Sequence, residues 1–354
     1  MRKLIIFVLF ALLAHSHWVQ AQDELKLKRD APDRYIVEKG DTLWGIATKF
    51  LKDPWRWAEI WRLNQEQIRN PHRIQPGDVI VLDRSKRPAL LVRNNKRDAR
   101  DNTVKLAPTV YSESYAERAI PAISPRYIEP FLSRPLVIET GGLDKVPRIV
   151  GTQSGSVYLG SGGVAYVSGI GDSEQESWEI FRPGAPLVDP DTSKILGIEA
   201  IHLGTARVVR AGEPATVRVV SATREISQGD RLLPSEPAVI NRYAPHPPTS
   251  FIKGRIISVF GGLKNSEGGK YSIVSINKGS QHALEMGHVL AVKHTGNSIP
   301  DPQSNLSRDK APQFRLPDER YGLLFVFRVF NAVSYALVME TSLPVVPGDT
   351  VNTP

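Results

Sequence analysis

From Leu136 onward the apolar residues come in short runs bounded by Gly, Pro, Asn or Asp, and this pattern constrains the fold most strongly. Val164-Ala165-Tyr166-Val167, Ala215-Thr216-Val217-Arg218-Val219-Val220, Ile273-Val274-Ser275-Ile276 and Leu323-Leu324-Phe325-Val326-Phe327 are rich in β-branched and aromatic residues. Runs this short, closed by turn formers, read as strands. In Tyr243-Ala244-Pro245-His246-Pro247-Pro248, three prolines in four residues cannot continue a strand interior. A boundary there gives two mostly-β domains, 136–242 and 243–354, each barrel- or sandwich-like. The two are expected to be copies. Ala215 precedes Gly229-Asp230 by fourteen residues, and Ser334 precedes Gly348-Asp349 by the same distance.

The opposite end reads as a leader. Arg2 and Lys3 precede an apolar run from Leu4 to Ala14, and Val19-Gln20-Ala21 offers the small residues that a signal peptidase accepts. Eleven apolar residues are too few to span a bilayer as a helix. A signal peptide at 1–21, a tether at 22–33 and export to the periplasm are therefore expected, with no transmembrane segment left after cleavage. The chain has no cysteine. Its exported domains must rely on hydrophobic cores, and lipid-modified cysteine and thiol nucleophiles are excluded. The formal charge of +8 falls to +6 without Arg2 and Lys3, and the stretch Arg84–Lys105 alone carries +6. The basic excess thus belongs to a connector, 83–135, where it reads as a solvated face or as an attraction to anionic wall polymers. Export leaves no opportunity for nucleic acid.

Residues 34–82 follow another rhythm: strand, helix, helix, strand (βααβ). Tyr35-Ile36-Val37 is a short strand, and Lys39-Gly40-Asp41 turns the chain. Asp41 or Thr42 can cap a helix whose Leu43, Ile46, Ala47 and Phe50 recur on one face. Asp53-Pro54 restarts the pattern with a cap and a first-turn proline, and Trp57, Ile60 and Trp61 form the second apolar face. Gln75-Pro76-Gly77-Asp78 then turns into Val79–Leu82. The chain as a whole is α+β. Four of its five tryptophans beyond the leader lie between positions 44 and 61. Trp57 and Trp61 fit the core, whereas Trp44 and Trp55 fall off the apolar faces and are candidates for exposure.

The run Tyr35–Ala47 closely resembles the opening of a LysM domain, and Asn70-Pro71-His72-Arg73-Ile74-Gln75-Pro76-Gly77-Asp78 resembles its close. The segment Leu51–Trp57 lengthens the inter-helix connection relative to a minimal module. The whole arrangement is similar to a Gram-negative periplasmic family of undefined activity. The resemblance implies a shallow glycan groove with Gly40, Asp41, Thr42, Leu43 and Trp44 on one side. Asn70, Pro71, His72, Arg73 and Ile74 would lie opposite. Backbone amides in such loops can satisfy the acetamido group of N-acetylglucosamine, and Leu43 and Ile74 would pack on its methyl.

No enzyme signature emerges. Beyond the leader there is no HxH or HExxH, and the even spacing of His282, His288 and His294 suits no metal-ligand pattern. Neither Glu113-Ser114 nor Glu176-Ser177 continues as a lytic glycosidase would, and Gly151-Thr152-Gln153-Ser154-Gly155 is not a nucleophile elbow. Gly160-Ser161-Gly162-Gly163 sits between strands and is expected to be a turn. The expectation is a non-catalytic protein, without metal or cofactor, that binds peptidoglycan glycan strands. Its β-domains would contact an envelope protein partner. The rival readings are a wall hydrolase with an unfamiliar active site and an accessory of a secretion or motility complex.

Overall fold

The computed structural model describes residues 26–58, 74–83, 90–94, 122–128, 131, 137–139, 142–143, 146–171, 175–235, 245–262, 266–294, 298–301, 303 and 312–354. The expected leader, the second face of the module at Ile60 and Trp61, and most of the basic connector lie outside the described residues.

The N-terminal module contains β1 (Arg34–Ile36), α1 (Leu43–Phe50), a 3-10 turn (Pro54–Arg56) and β2 (Val79–Asp83). Thr42 caps α1: its side chain accepts from Gly45 N at 2.9 Å, satisfying a donor that the first turn leaves without an intrahelical partner. Asp53 makes no capping bond. A third strand, β3 (Leu90–Asn94), pairs with β2 from Val79↔Asn94 to Asp83↔Leu90. This strand lies within the expected connector, 83–135, and completes the sheet β1-β2-β3.

Beyond β4 (Val137–Glu139) come β5 (Arg148–Thr152), the short β6 (Tyr158–Leu159), β7 (Val164–Ser168) and the long hairpin β8 (Ser177–Val188) and β9 (Ile195–Arg210). Then follow β10 (Ala215–Ala222), β11 (Ile226–Ser227) and β12 (Arg231–Pro234). The sheet runs β10-β7-β5-β12-β8-β9-β4, and β10 also pairs with β9, which closes a ring of six. Closure depends on Gly204, because a Cβ there would meet Ser221 O at 2.1 Å. The Gly160–Gly163 segment is a turn, with Gly163 N donating to Gly160 O at 3.1 Å.

The C-terminal region comprises β13 (Lys253–Val259), β14 (Ile273–Ile276), β15 (Val289–His294), the hairpin β16 (Ser298–Pro300) and β17 (Gln313–Arg315), β18 (Glu319–Val329), β19 (Ser334–Thr341) and β20 (Thr350–Asn352). Six of these form the closed barrel β13-β14-β19-β18-β15-β20. Ordered along the chain, its ring reads first, second, fifth, fourth, third, sixth. The ring β5-β7-β10-β9-β8-β12 reads the same way. A small helical module ahead of mostly-β structure fits the α+β label only loosely, since helix is a minor part of the described residues.

The barrel strands explain why their sequence runs show no polar alternation. Leu324, Val326, Ala336 and Val338 fill the barrel with Ile256, Val274 and Leu290. The intervening Leu323, Phe325, Phe327, Tyr335, Leu337 and Met339 are buried on the outer wall, in a cluster that includes Trp44, Trp55, Ile123, Val137 and Leu187. Both faces are dry, so both are apolar. The first ring also reaches this wall. The Tyr335 hydroxyl is hydrogen-bonded to the Glu199 carboxyl, and burial pushes the pKa of each upward. At the tip of the β8–β9 hairpin, Asp189 accepts from Asn277 Nδ2 at 2.6 Å.

Candidate functional site

The loop after β1 is shaped by a turn in which Gly40 takes φ +98° and Asp41 Oδ2 accepts from Glu38 N at 2.8 Å. Such a φ is cheap only for glycine. The Tyr35 hydroxyl also donates to Asp41 Oδ2, at 2.8 Å. Burial, that hydrogen bond and the nearby negative charges push the Tyr35 pKa up to about 12, so the phenol remains a donor. The loop before β2 repeats the device: Gly77 has φ +93° and Asp78 Oδ2 accepts from Gln75 N at 2.8 Å. Gly77 N donates to Val37 O and Val37 N to Asp78 O, both at 2.8 Å. The two loops are thereby held side by side.

Gly40 is exposed, Asp41 and Thr42 are half-buried, and a Cβ built on Gly40 would meet nothing within 4 Å. This part of the expected groove is open. Asn70, Pro71, His72 and Arg73, its opposite wall, lie outside the described residues. Three expectations need correction. Leu43 and Ile74 belong to the module's own core with Phe50, Trp57 and Ile80; they present no side chain to pack on an acetamido methyl. Trp44, 3% exposed, and Trp55, 6% exposed, are not surface aromatics. They face away from the module core, as their position off the helix face implies, but the outer wall of the barrel covers them. Trp57 is core, as its periodicity implies.

Around this contact lie charges that sequence spacing could not connect. Arg320 Nη1 donates to Asp53 Oδ1 at 3.0 Å, and its guanidinium lies 5.4 Å from the Trp55 ring centroid. The Trp44 indole N–H has no acceptor in good hydrogen-bond geometry. The Glu340 carboxyl is the polar group interacting with it, and burial raises that carboxyl's pKa against the pull of Lys28, Lys270 and Arg320.

Among the described residues, no three or more His, Asp or Glu side chains converge as a metal site requires. His282 and His288 each serve a local turn, accepting through Nδ1 from Gly279 N at 3.3 Å and from Glu285 N at 3.0 Å. His202 Nε2 lies 2.7 Å from Glu179 Oε2, and Glu179 Oε1 accepts from Ser235 Oγ at 2.9 Å. These residues come from three separate strand regions, and no local motif announces them.

The family model of the LysM domain matches residues 35–83, and the module is a LysM domain of the kind that generally binds peptidoglycan or chitin. The chain is also similar to "Uncharacterized protein YqbP" of Bacillus subtilis (strain 168), 39% identical over 76 residues. That likeness covers 18% of this chain and 35% of the relative, so the chain spans about a third of the length of the curated relative it matches. No helix among the described residues is long and apolar enough to cross a membrane.

Proposed function

We propose that this LysM protein holds the N-acetylglucosamine-containing strands of peptidoglycan in the periplasm without cleaving them. The observation that carries the reading is the LysM module itself, with the Gly40–Thr42 loop open and locked beside the Gln75–Asp78 turn. Neutral amino-sugars offer amide and hydroxyl groups, which turn-shaped backbone can satisfy. A shallow groove buries little area, so one module should bind with roughly micromolar to millimolar affinity. The β-domains serve as an interaction scaffold for an envelope protein. Their shared strand order supports reading them as two copies of one unit.

The test is sedimentation with purified insoluble peptidoglycan, together with assay of the supernatant for released fragments. Wild type should pellet and release nothing. Gly40→Asn, which tolerates positive φ and puts a side chain into the open space, should stay in solution. A Gly40→Asn protein that pellets like wild type would refute the site, and soluble muropeptides would refute the non-catalytic role.

A further inference from the structure

The connector returns to the module. Ala122 packs against the LysM core, and its carbonyl accepts from Trp44 N at 3.1 Å. That amide is one of the α1 donors without an intrahelical partner. It lies in the first turn of α1, directly after the Gly40–Thr42 loop in which the glycan reading needs free amides. Thr42 Oγ1 already satisfies Gly45 N, so Ala122 takes the next donor back along the turn. Ile123 is buried with Trp44 and Trp55. From there the segment is fastened to the barrel. Tyr127 stacks on Tyr271 at 3.9 Å between ring centroids with an 11° tilt. Phe131 meets Phe260 edge-on at 5.2 Å, and its carbonyl accepts from Arg328 Nη1 at 3.0 Å.

We propose that this connector is a built-in competitor, its Ala122 carbonyl occupying the helix-end amide of Trp44 that an acetamido carbonyl would otherwise take. The inference rests on the glycan reading of the same loop. A peptide carbonyl beside the small methyl of Ala122 presents the chemistry of an N-acetyl group: one acceptor next to one methyl. The barrel anchors set the orientation of that carbonyl, so glycan and connector exclude one another at Trp44. The measured affinity is then the intrinsic affinity reduced by the fraction of molecules with the loop uncovered.

The experiment uses the full-length protein, N-acetylglucosamine tetramer as probe, and hydrogen exchange at the Trp44 amide as an independent reading of the contact. Ile123→Asp should free the amide and raise tetramer affinity roughly five- to twentyfold, the worth of one hydrogen bond with its apolar support. Tyr127→Ala cuts the anchor at a partly exposed ring pair, removes a ring only from the edge of the barrel-wall cluster, and should move both readings the same way. A freed Trp44 amide with unchanged affinity overturns the competition while leaving glycan binding standing. A freed amide with no tetramer binding by wild type or either variant defeats the glycan reading itself. Unchanged exchange in both variants shows that the segment does not hold Trp44, and overturns the proposal.

Discussion

Arg320 and Asp53, 267 positions apart, meet at 3.0 Å. Asp53 stands where a helix cap is expected, before Pro54, yet its carboxylate goes to the barrel instead of to the first-turn amides. The pair is partly exposed, at 38% and 19%, so its own worth is below about 1 kcal/mol. What it marks is the apolar contact beneath it, in which Trp44 and Trp55 meet the barrel wall.

Trp55→Ala should therefore be far more costly than Asp53→Ala. Truncating a buried tryptophan costs about 3–5 kcal/mol, against less than about 1 kcal/mol for the ion pair. Urea unfolding of the two variants checks the ranking. Equal, small losses would show that the module does not lean on the barrel.

Asp230 ties a turn to a strand. It accepts from Arg182 Nε at 2.7 Å and Nη2 at 2.9 Å, and from Ser227 N at 2.7 Å, with only 2% of the residue exposed. Arg182 is 43% exposed and also donates to Glu225 O and Ser227 Oγ. Asp230→Ala therefore chiefly leaves the turn amide without its acceptor and should cost about 1–3 kcal/mol. Asp230→Asn retains one acceptor and should cost less. Thermal unfolding of both variants measures the order.

His288 supplies a pH test. The turn Glu285-Met286-Gly287-His288 has the hydrogen bonding of the Gly-Asp turns, with the imidazole in place of the carboxylate. Burial and the neighbouring His246 lower the His288 pKa. The fold thus favours the neutral ring, and protons bind the unfolded chain first. Stability is complete above the unfolded value of about 6.5 and should decline as pH falls through the window below it. His282, lowered by burial and Lys278, contributes with the same sign. His288→Asp restores the turn's usual acceptor and should flatten the decline between pH 7.5 and 5. An unchanged slope would remove His288 from the account.

Arg207 and Arg218 sit directly opposite one another on β9 and β10, both exposed. Like charges in this register are destabilising. Arg218→Glu should add about 0.2–1 kcal/mol, and the gain should shrink with added salt. Denaturation at low and high ionic strength would show it. No gain at low salt would mean that solvent already screens the pair.

The Gly-Asp turns show why the local structure was legible. Glu38-Lys39-Gly40-Asp41, Gln75-Pro76-Gly77-Asp78, Ser227-Gln228-Gly229-Asp230 and Val346-Pro347-Gly348-Asp349 fold alike. Glycine φ lies between 93° and 98°, and each aspartate accepts from the amide three residues back. Four residues contain all the atoms involved, so the pattern is readable in the chain. The latter three also clamp a distant strand through Val37, Ile149 and Ile256, and no local pattern states that.

The chain's own order of residues marked the module at 34–82, the α1 face, a helix cap at Asp41 or Thr42, the turns and most strand runs, because each rests on contacts within a few positions; the structure chose Thr42. It misplaced Trp44 and Trp55, since a side chain off one apolar face reads as exposed when its second neighbour lies hundreds of residues away. The run at 323–327 displayed its apolar character but not its cause, which is burial from inside the barrel and from outside it at once. Which faces meet, which loop amides stay open and which carbonyl covers Trp44 are set by long-range packing. Only the tertiary structure could decide them.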